Sequence, residues 1–144
     1  MAQDLADEKA EAKATYAQVR DEMEKFVREQ PNNVFVVSGL ASAYAGLGNK
    51  EAALREGERS LAMASSIDDT VVAPGIEEFL ARTETQLGET DRAISRLEHL
   101  LTIPYSPGSI TQALLRLDPS WDPLRNHPRF QKLVSGPAPK TIYK

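Results

Sequence analysis

Apolar residues recur along this chain with the spacing of helices that bury one face. Between residues 16 and 27 they fall three or four positions apart, which predicts one long helix over residues 4–30. Strong helix formers dominate that stretch, and Gly and Pro are absent from it. Its first turns offer mostly alanines to bury, so we expect them to project from the body. Pro31 ends the helix.

The same spacing continues in two helical hairpins. Their four helices are predicted at about residues 33–47, 50–64, 75–87 and 90–103. Gly48 joins the first pair and Gly88 the second, because glycine permits the positive φ angle of a tight turn after a helix end. A polar loop at 65–73 separates the hairpins, and Pro104 ends the second one.

Prolines divide the last part of the chain into short elements. We predict helices at about 109–117 and 127–134, and a flexible tail at 135–144. Asp118 and Asp122 each precede a proline, a pattern that favours short capped turns.

Trp121 and Phe130 are expected to plug the open end of the helical stack, since an array of hairpins needs a terminal cap. The alternative is that Trp121, the only tryptophan, anchors a partner.

Seven residues of the first hairpin recur forty positions later. The pairs are Leu40/Leu80, Ala41/Ala81, Leu47/Leu87, Gly48/Gly88, Ala53/Ala93, Glu58/Glu98 and Leu61/Leu101. Self-similarity at a fixed period is the signature of a repeat array. The alanines would let paired helices approach closely, and the leucines would fill the gap between hairpins.

These positions resemble the tetratricopeptide repeat (TPR), over about residues 7–104. The resemblance implies an all-α fold, a right-handed antiparallel helical-hairpin solenoid of about six or seven helices, with the TPR-like domain spanning residues 1–134. The second copy departs from the pattern, because Glu84 stands where the first copy has Tyr44, and Glu77 where it has Val37. We expect Glu77 to face solvent or a polar partner.

The resemblance also implies a binding face. In this family the first helix of each unit lines a concave surface. The matching positions in this chain are Phe35, Ser38, Ser42, Ala45 and Gly46 in one copy, and Glu78, Arg82, Thr85 and Gln86 in the other. Such a set would suit an extended peptide or a helix of a partner protein. The alternative is a face that is only solvated, or covered by further repeats.

The segment from Leu115 to Phe130 resembles the closing part of repeat regions at the C-terminus of large bacterial proteins, among them Ser/Thr kinase-like proteins and transcriptional or cyclase-type regulators. The resemblance implies that this chain belongs to a larger signalling protein. The helical pattern begins almost at residue 1, which also leads us to expect a fragment of a longer chain.

Composition narrows the function classes. The 144 residues carry a net charge of −4, which argues against a nucleic-acid binder with its basic stripe. No apolar run approaches the roughly 18 residues of a membrane span, and the N-terminus does not resemble a signal peptide. The chain has no cysteine, which fits a reducing compartment. We therefore expect a cytoplasmic protein.

Signatures of catalysis or metal binding are missing from the sequence. It has no glycine-rich phosphate loop and no serine-hydrolase motif. His99 has no second ligand at metal spacing, His127 reads as part of a turn, and the pair Asp68-Asp69 lacks the other ligands of a calcium loop. We expect no enzyme activity, no cofactor and no metal.

Two functions follow from this reading. The first is a non-enzymatic module that binds a protein or peptide on its concave face. The second is a structural or oligomerisation element, a monomer or weak homodimer that pairs through Tyr16, Val19 and Met23 of the N-terminal helix.

Overall fold

The computed structural model describes residues 2–67, 71–103 and 110–136, with side chains from residue 6 onward. These ranges are all-α, with seven α-helices, one 3₁₀ helix and no strand. The α-helices are α1 (Ala2–Glu29), α2 (Val34–Gly46), α3 (Lys50–Ser65), α4 (Val72–Gln86), α5 (Thr90–Leu100), α6 (Gln112–Leu117) and α7 (Pro128–Ser135). The 3₁₀ helix spans Pro119–Leu124. The predicted all-α class and every predicted helix are thus confirmed.

Several predicted features fall outside the described residues. These are the pair Asp68-Asp69, the helix stop at Pro104 and the tail beyond residue 136.

Short polar side chains start several of the helices. The Asn33 side chain accepts hydrogen bonds from the backbone N–H groups of Phe35 and Val36 at the start of α2. Thr111 caps α6 in the same way, and His127 accepts the N–H of Arg129 at the start of α7. Each cap satisfies a backbone donor that the first turn of a helix leaves without a partner. The prediction that His127 belongs to a turn is confirmed.

Gly48 and Gly88 close the two hairpins. Their φ angles are +75° and +76°, and in the described part of the chain positive φ occurs at glycine alone. An L-residue with a side chain pays a steric cost in this region, so the turn needs glycine. The prediction from the repeated glycines is confirmed, and each three-residue turn makes its two helices antiparallel.

Two predicted boundaries in the proline-rich segments are wrong. Helix α4 begins at Val72, three residues before the predicted start, with Pro74 inside its first turn. A proline is tolerated there because first-turn N–H groups have no partner within the helix. Asp118 does cap the 3₁₀ helix, but Asp122 lies inside it and pairs with Arg125.

Each helix from α1 to α4 packs on the next one along the chain, and α2 also touches α4. The four repeat alanines are fully buried where these helices meet: Ala41, Ala53, Ala81 and Ala93. Their small side chains allow the close approach that the repeat predicts.

Glycine allows a second close approach, between the hairpins. A methyl group added at Gly57 of α3 would lie 2.5 Å from Cδ1 of the buried Leu80 on α4. The leucine therefore fills a space that only glycine leaves open.

Helix α1 uses its apolar stripe within the chain. The ring of Tyr16 covers Gly46 so closely that an added methyl group would lie 2.4 Å from it, and the Met23 sulfur lies 3.2 Å from such a group on Gly39. The proposed self-pairing through Tyr16 and Met23 thus competes with contacts to α2. Residues 6–15 are exposed, as expected for turns that project from the body.

The C-terminal helices cover the end of α4 and α5. Trp121 is 0% exposed and Phe130 is buried beside it. Both belong to a cluster with the inner residues of α5, among them Ile94 and Leu97. The predicted plug is confirmed, and the alternative of Trp121 as a partner anchor is wrong because its ring is fully buried.

Candidate partner-binding groove

Two depressions lie between α2 and α4 and meet at Phe79. One collects residues from the first turns of both helices, and the other collects Ser42 of α2 with residues near the C-terminal end of α4. Since like ends meet, the two helices run in the same direction. We call the two depressions together the groove.

The apolar depression has a volume of about 490 Å³. It is lined by Phe35, Ser38, Gly39, Val71, Val72, Gly75, Ile76 and Phe79. Phe35 is 68% exposed and Val71 is 49% exposed, although both are large apolar residues. A contiguous exposed apolar patch of this kind is typical of an interaction site.

The polar depression has a volume of about 440 Å³. It is lined by Ser42, Phe79, Arg82, Thr83, Gln86, Pro119, Ser120 and Pro123. The last three belong to the 3₁₀ helix, which therefore walls the groove beside α4. Sequence reasoning missed this wall, because only the folded chain brings residues 119–123 back onto α4.

Arg82 joins α4 to this wall. Its guanidinium lies 3.0 Å from Glu78 and 2.8 Å from Asp118, donates to the Ser120 hydroxyl, and stacks 4.7 Å from the centre of the Trp121 ring. The Ser120 N–H and then Arg82 lower the pKa of Asp118 from 3.8 to about 2. Arg82 is thus a neutralised structural cation and not an open charge.

The predicted groove residues divide between these surroundings. Phe35 and Ser38 line the apolar depression, while Ser42, Arg82 and Gln86 line the polar one. Glu78, which lines neither depression as described, pairs with Arg82 beside them.

Three of the predicted positions do not form the groove. Thr85 is buried, and its hydroxyl donates to the Ala81 carbonyl one turn earlier. Ala45 is also buried, and Gly46 faces Tyr16 of α1. The family register placed these residues on the concave face, but the packing of α1 and α3 on α2 and α4 covers them.

Charge is nearly absent from the groove. Helix α2 contains no ionisable side chain except the Tyr44 hydroxyl, which donates to Glu24 of α1. On α4, Glu77 turns to the other side and pairs with His99 at 2.9 Å, so the expected polar partner is found. The charges that line or flank the groove in the described residues are Arg82 and the two carboxylates that pair with it, Glu78 and Asp118.

Sequence reasoning missed a buried charge cluster behind the groove. Glu84 is 0% exposed and lies 2.8 Å from Arg96 and 3.2 Å from Arg92. Burial raises the pKa of Glu84, and the two arginines oppose that rise. Both arginines also reach Glu58 of α3, so the cluster ties three helices together. A glutamate at a scaffold position, with arginines on the next helix, was the available signal.

A third depression, of about 480 Å³, lies between α3 and α5 on the side of this cluster. It is lined by Glu58, Glu77, Asp91, Arg92, Ser95 and Arg96. These charges are paired with one another or with neighbouring side chains. The arrangement is that of a structural ion-pair network.

Metal-binding clusters and membrane-spanning helices are two further features considered for the described residues. No cluster of three or more His, Cys, Asp or Glu residues in that part of the chain is arranged to hold a metal ion. None of the described helices combines the length and the apolar character that crossing a membrane requires.

Comparison of the chain with protein-family models, curated proteins and solved structures finds no match.

Proposed function

We propose that this chain is a non-enzymatic protein-interaction module that binds a peptide or helix of a partner protein in the groove. The observation that carries the proposal is Phe35, a large aromatic residue exposed at the rim of an apolar depression between two parallel helices. Burying such a surface against a partner is favourable, and a preformed groove reduces the entropy lost on binding.

We further propose that the helices form a TPR-like, right-handed solenoid. The internal repeat, the glycine turns and the buried alanine pairs support this reading. A place in the cytoplasm, within a larger bacterial signalling or regulatory protein, stays a prediction from the cysteine-free composition and from the resemblance of the closing segment.

A structural or oligomerisation element is the competing function. Its support was the apolar stripe of α1, and two members of that stripe, Tyr16 and Met23, are used against α2. Phe35 of the groove, by contrast, is 68% exposed. We therefore prefer the interaction module.

A pull-down with three baits tests the proposal. The chain, a Phe35→Glu variant and a Leu117→Glu variant are immobilised and incubated with lysate of the source cells. Leu117 of α6 is a matched control, because it is 76% exposed and lies outside the groove. Arg82 is left unchanged, since its replacement would break the contacts to Asp118 and Trp121.

We expect a protein that the wild type and Leu117→Glu retain and Phe35→Glu loses. Equal retention by all three baits, together with a concentration-dependent dimer in sedimentation, would favour the structural element instead.

A further inference from the structure

We infer that the groove selects an uncharged peptide face that carries a bulky apolar side chain, which enters the apolar depression. The inference rests on the proposed function and names the chemistry of the partner. It excludes a peptide with a charged side chain at that position, and it excludes an acidic or phosphorylated segment beside it.

The first argument concerns the charged side chains of the two helices that line the groove. The chain is 26% charged, yet the thirteen residues of α2 include no Asp, Glu, Lys or Arg. Of the charged side chains on α4, Glu77 pairs with His99 and Glu84 is buried behind the groove. A charged partner side chain would lose water in the apolar depression without gaining an opposite charge, because no charged residue lines it, and this is unfavourable.

Arg82 is the group that would attract an anion, and its surroundings argue against that role. Its guanidinium already contacts the carboxylates of Glu78 and Asp118, and one face lies over Trp121. An incoming carboxylate or phosphate would meet two negative neighbours for one cation. The local field therefore disfavours an anionic ligand.

The apolar depression supplies the positive part of the recognition. Phe35 and Val71 border it and are 68% and 49% exposed, and the half-buried Phe79 and the buried Ile76 also line it. Gly75 has no side chain, and the space where its Cβ would lie is open. An aliphatic or aromatic side chain from a partner would cover these exposed carbons, as anchors do at the centre of protein interfaces.

The other end of the groove suits neutral polar groups. Ser42 and Gln86 present a hydroxyl and an amide there, and Pro119 and Pro123 form an apolar wall. Along α4 the groove extends from Val72 to Gln86, about 20 Å at the helical rise of ~1.5 Å per residue. About six residues of an extended peptide would span that length.

Selection from random peptides tests the inference. A bead-displayed library of random 12-residue peptides is selected on the full chain, and bound sequences are counted again on the Phe35→Glu and Leu117→Glu variants. Helix content and thermal unfolding of all three proteins are measured first. A Phe35→Ala variant provides a second readout that adds no charge.

We expect sequences that bind the wild type and Leu117→Glu equally, and that lose at least tenfold in affinity on Phe35→Glu and severalfold on Phe35→Ala. They should share one bulky apolar position and carry no charge beside it. Substituting that position with Asp or Lys in a synthetic peptide should raise the dissociation constant at least tenfold.

Two results would overturn the inference in different ways. Groove-dependent binders that are acidic or phosphomimetic, or that tolerate Asp or Lys at the apolar position, would refute the stated partner chemistry and leave the interaction module standing. A selection that yields no binder sensitive to Phe35 would refute both the partner chemistry and the use of the groove.

Discussion

The two hairpins share a scaffold but use the same structural position in different ways. In the first, the Tyr44 hydroxyl donates to Glu24 on the preceding helix, and the rest of α2 is free of charge. In the second, Glu84 takes the place of Tyr44 and pairs with Arg92 and Arg96 on the following helix. The repeat therefore preserves helix contacts, while the polar positions decide which neighbour each helix is tied to.

The groove faces of the two hairpins also differ in which neighbours their side chains contact. Ser42 of α2 lines the polar depression, whereas Arg82, forty residues later, ties α4 to Asp118 and the Trp121 ring. Phe35 near the start of α2 is exposed, and the corresponding position in α4 is Gly75. On these faces the first hairpin exposes Phe35, and Arg82 of the second hairpin holds the C-terminal cap.

The largest difference between the hairpins should appear when one arginine of the buried cluster is removed. Arg96→Met leaves the buried Glu84 with one weaker partner, and we expect a loss of about 3–5 kcal/mol in the free energy of unfolding at pH 7. In the first hairpin, Tyr44→Phe should cost about 1 kcal/mol, because it removes one part-buried hydrogen bond. Urea unfolding of both variants measures the difference.

A surface variant and a double variant control this experiment. Arg55→Met removes an exposed arginine on α3 whose partner Glu56 keeps its second pair with Arg59, so it should change stability by less than about 0.5 kcal/mol. Glu84→Leu/Arg96→Met removes both charges and should be more stable than Arg96→Met alone. If Arg96→Met and Arg55→Met cost the same, the buried ion pair does not hold the second hairpin.

The next largest effect concerns the two glycines under neighbouring helices. Gly57→Ala would press on Leu80, which is buried between the hairpins and has little room to move, so we expect a loss of about 1–3 kcal/mol. Gly46→Ala would press on the Tyr16 ring at the surface, which can turn outward. It should cost less than about 1 kcal/mol and act mainly on the attachment of α1.

Hydrogen exchange distinguishes these two substitutions. Gly46→Ala should speed exchange in α1 while the amides of α4 and α5 keep their protection, and Gly57→Ala should lower protection throughout the hairpins. Uniform loss of protection in both variants would mean that α1 and the hairpins unfold as one unit, which would contradict a separate attachment of α1.

The spacing of apolar residues and the positions of glycine and proline were sufficient to predict most of the helices. The repeated Gly48 and Gly88 and the four alanines follow from local helix and repeat rules, and the plug by Trp121 follows from the need of a hairpin array for a cap. Two missed features depend on side chains distant in sequence. The wall at Pro119 and the contact of Arg82 with Asp118 join residues 36 or more positions apart, and no periodic pattern encodes that contact.

Helical register also limited the prediction of the groove. Phe35, Ser42 and Arg82 do line the groove, because one turn of register brings such positions to a common face. Thr85 lies one position before Gln86 on α4, and that difference of about 100° turns its side chain inward. A family alignment alone does not decide a rotation of this size.

A smaller effect should appear in acid, where the contact between α4 and the cap loses its charge. The pKa of Asp118 is about 2 in the folded chain, below its ordinary 3.8, so this carboxylate stabilises the fold above about pH 4. That contribution is lost as the pH falls from 3.8 towards 2. Between pH 5 and 2.5, the wild type should lose about 1–2 kcal/mol more than Asp118→Asn.

Glu84 titrates in the opposite sense, which makes the matched variant necessary. Burial raises its pKa above the ordinary 4.5, so its contribution to stability is greatest at low pH and is lost as the pH rises through the raised value. Because Asp118→Asn retains Glu84, the difference between the two unfolding curves isolates Asp118. Parallel curves over this pH range would show that Asp118 does not titrate below its ordinary pKa.

The smallest expected effect on stability is at Phe35 of the first hairpin. Phe35 is 68% exposed, so Phe35→Glu removes little buried area and should change the free energy of unfolding by less than about 0.5 kcal/mol. Leu117→Glu, at a similarly exposed position, should behave alike. Substitution of a core residue should lower the free energy of unfolding several times more. For Leu80→Ala in the second hairpin we expect a loss of about 2–5 kcal/mol. A small effect at Phe35 would agree with the proposal that a partner covers this side chain. A loss above about 2 kcal/mol for Phe35→Glu would instead make Phe35 part of the core and remove the strongest support for the groove.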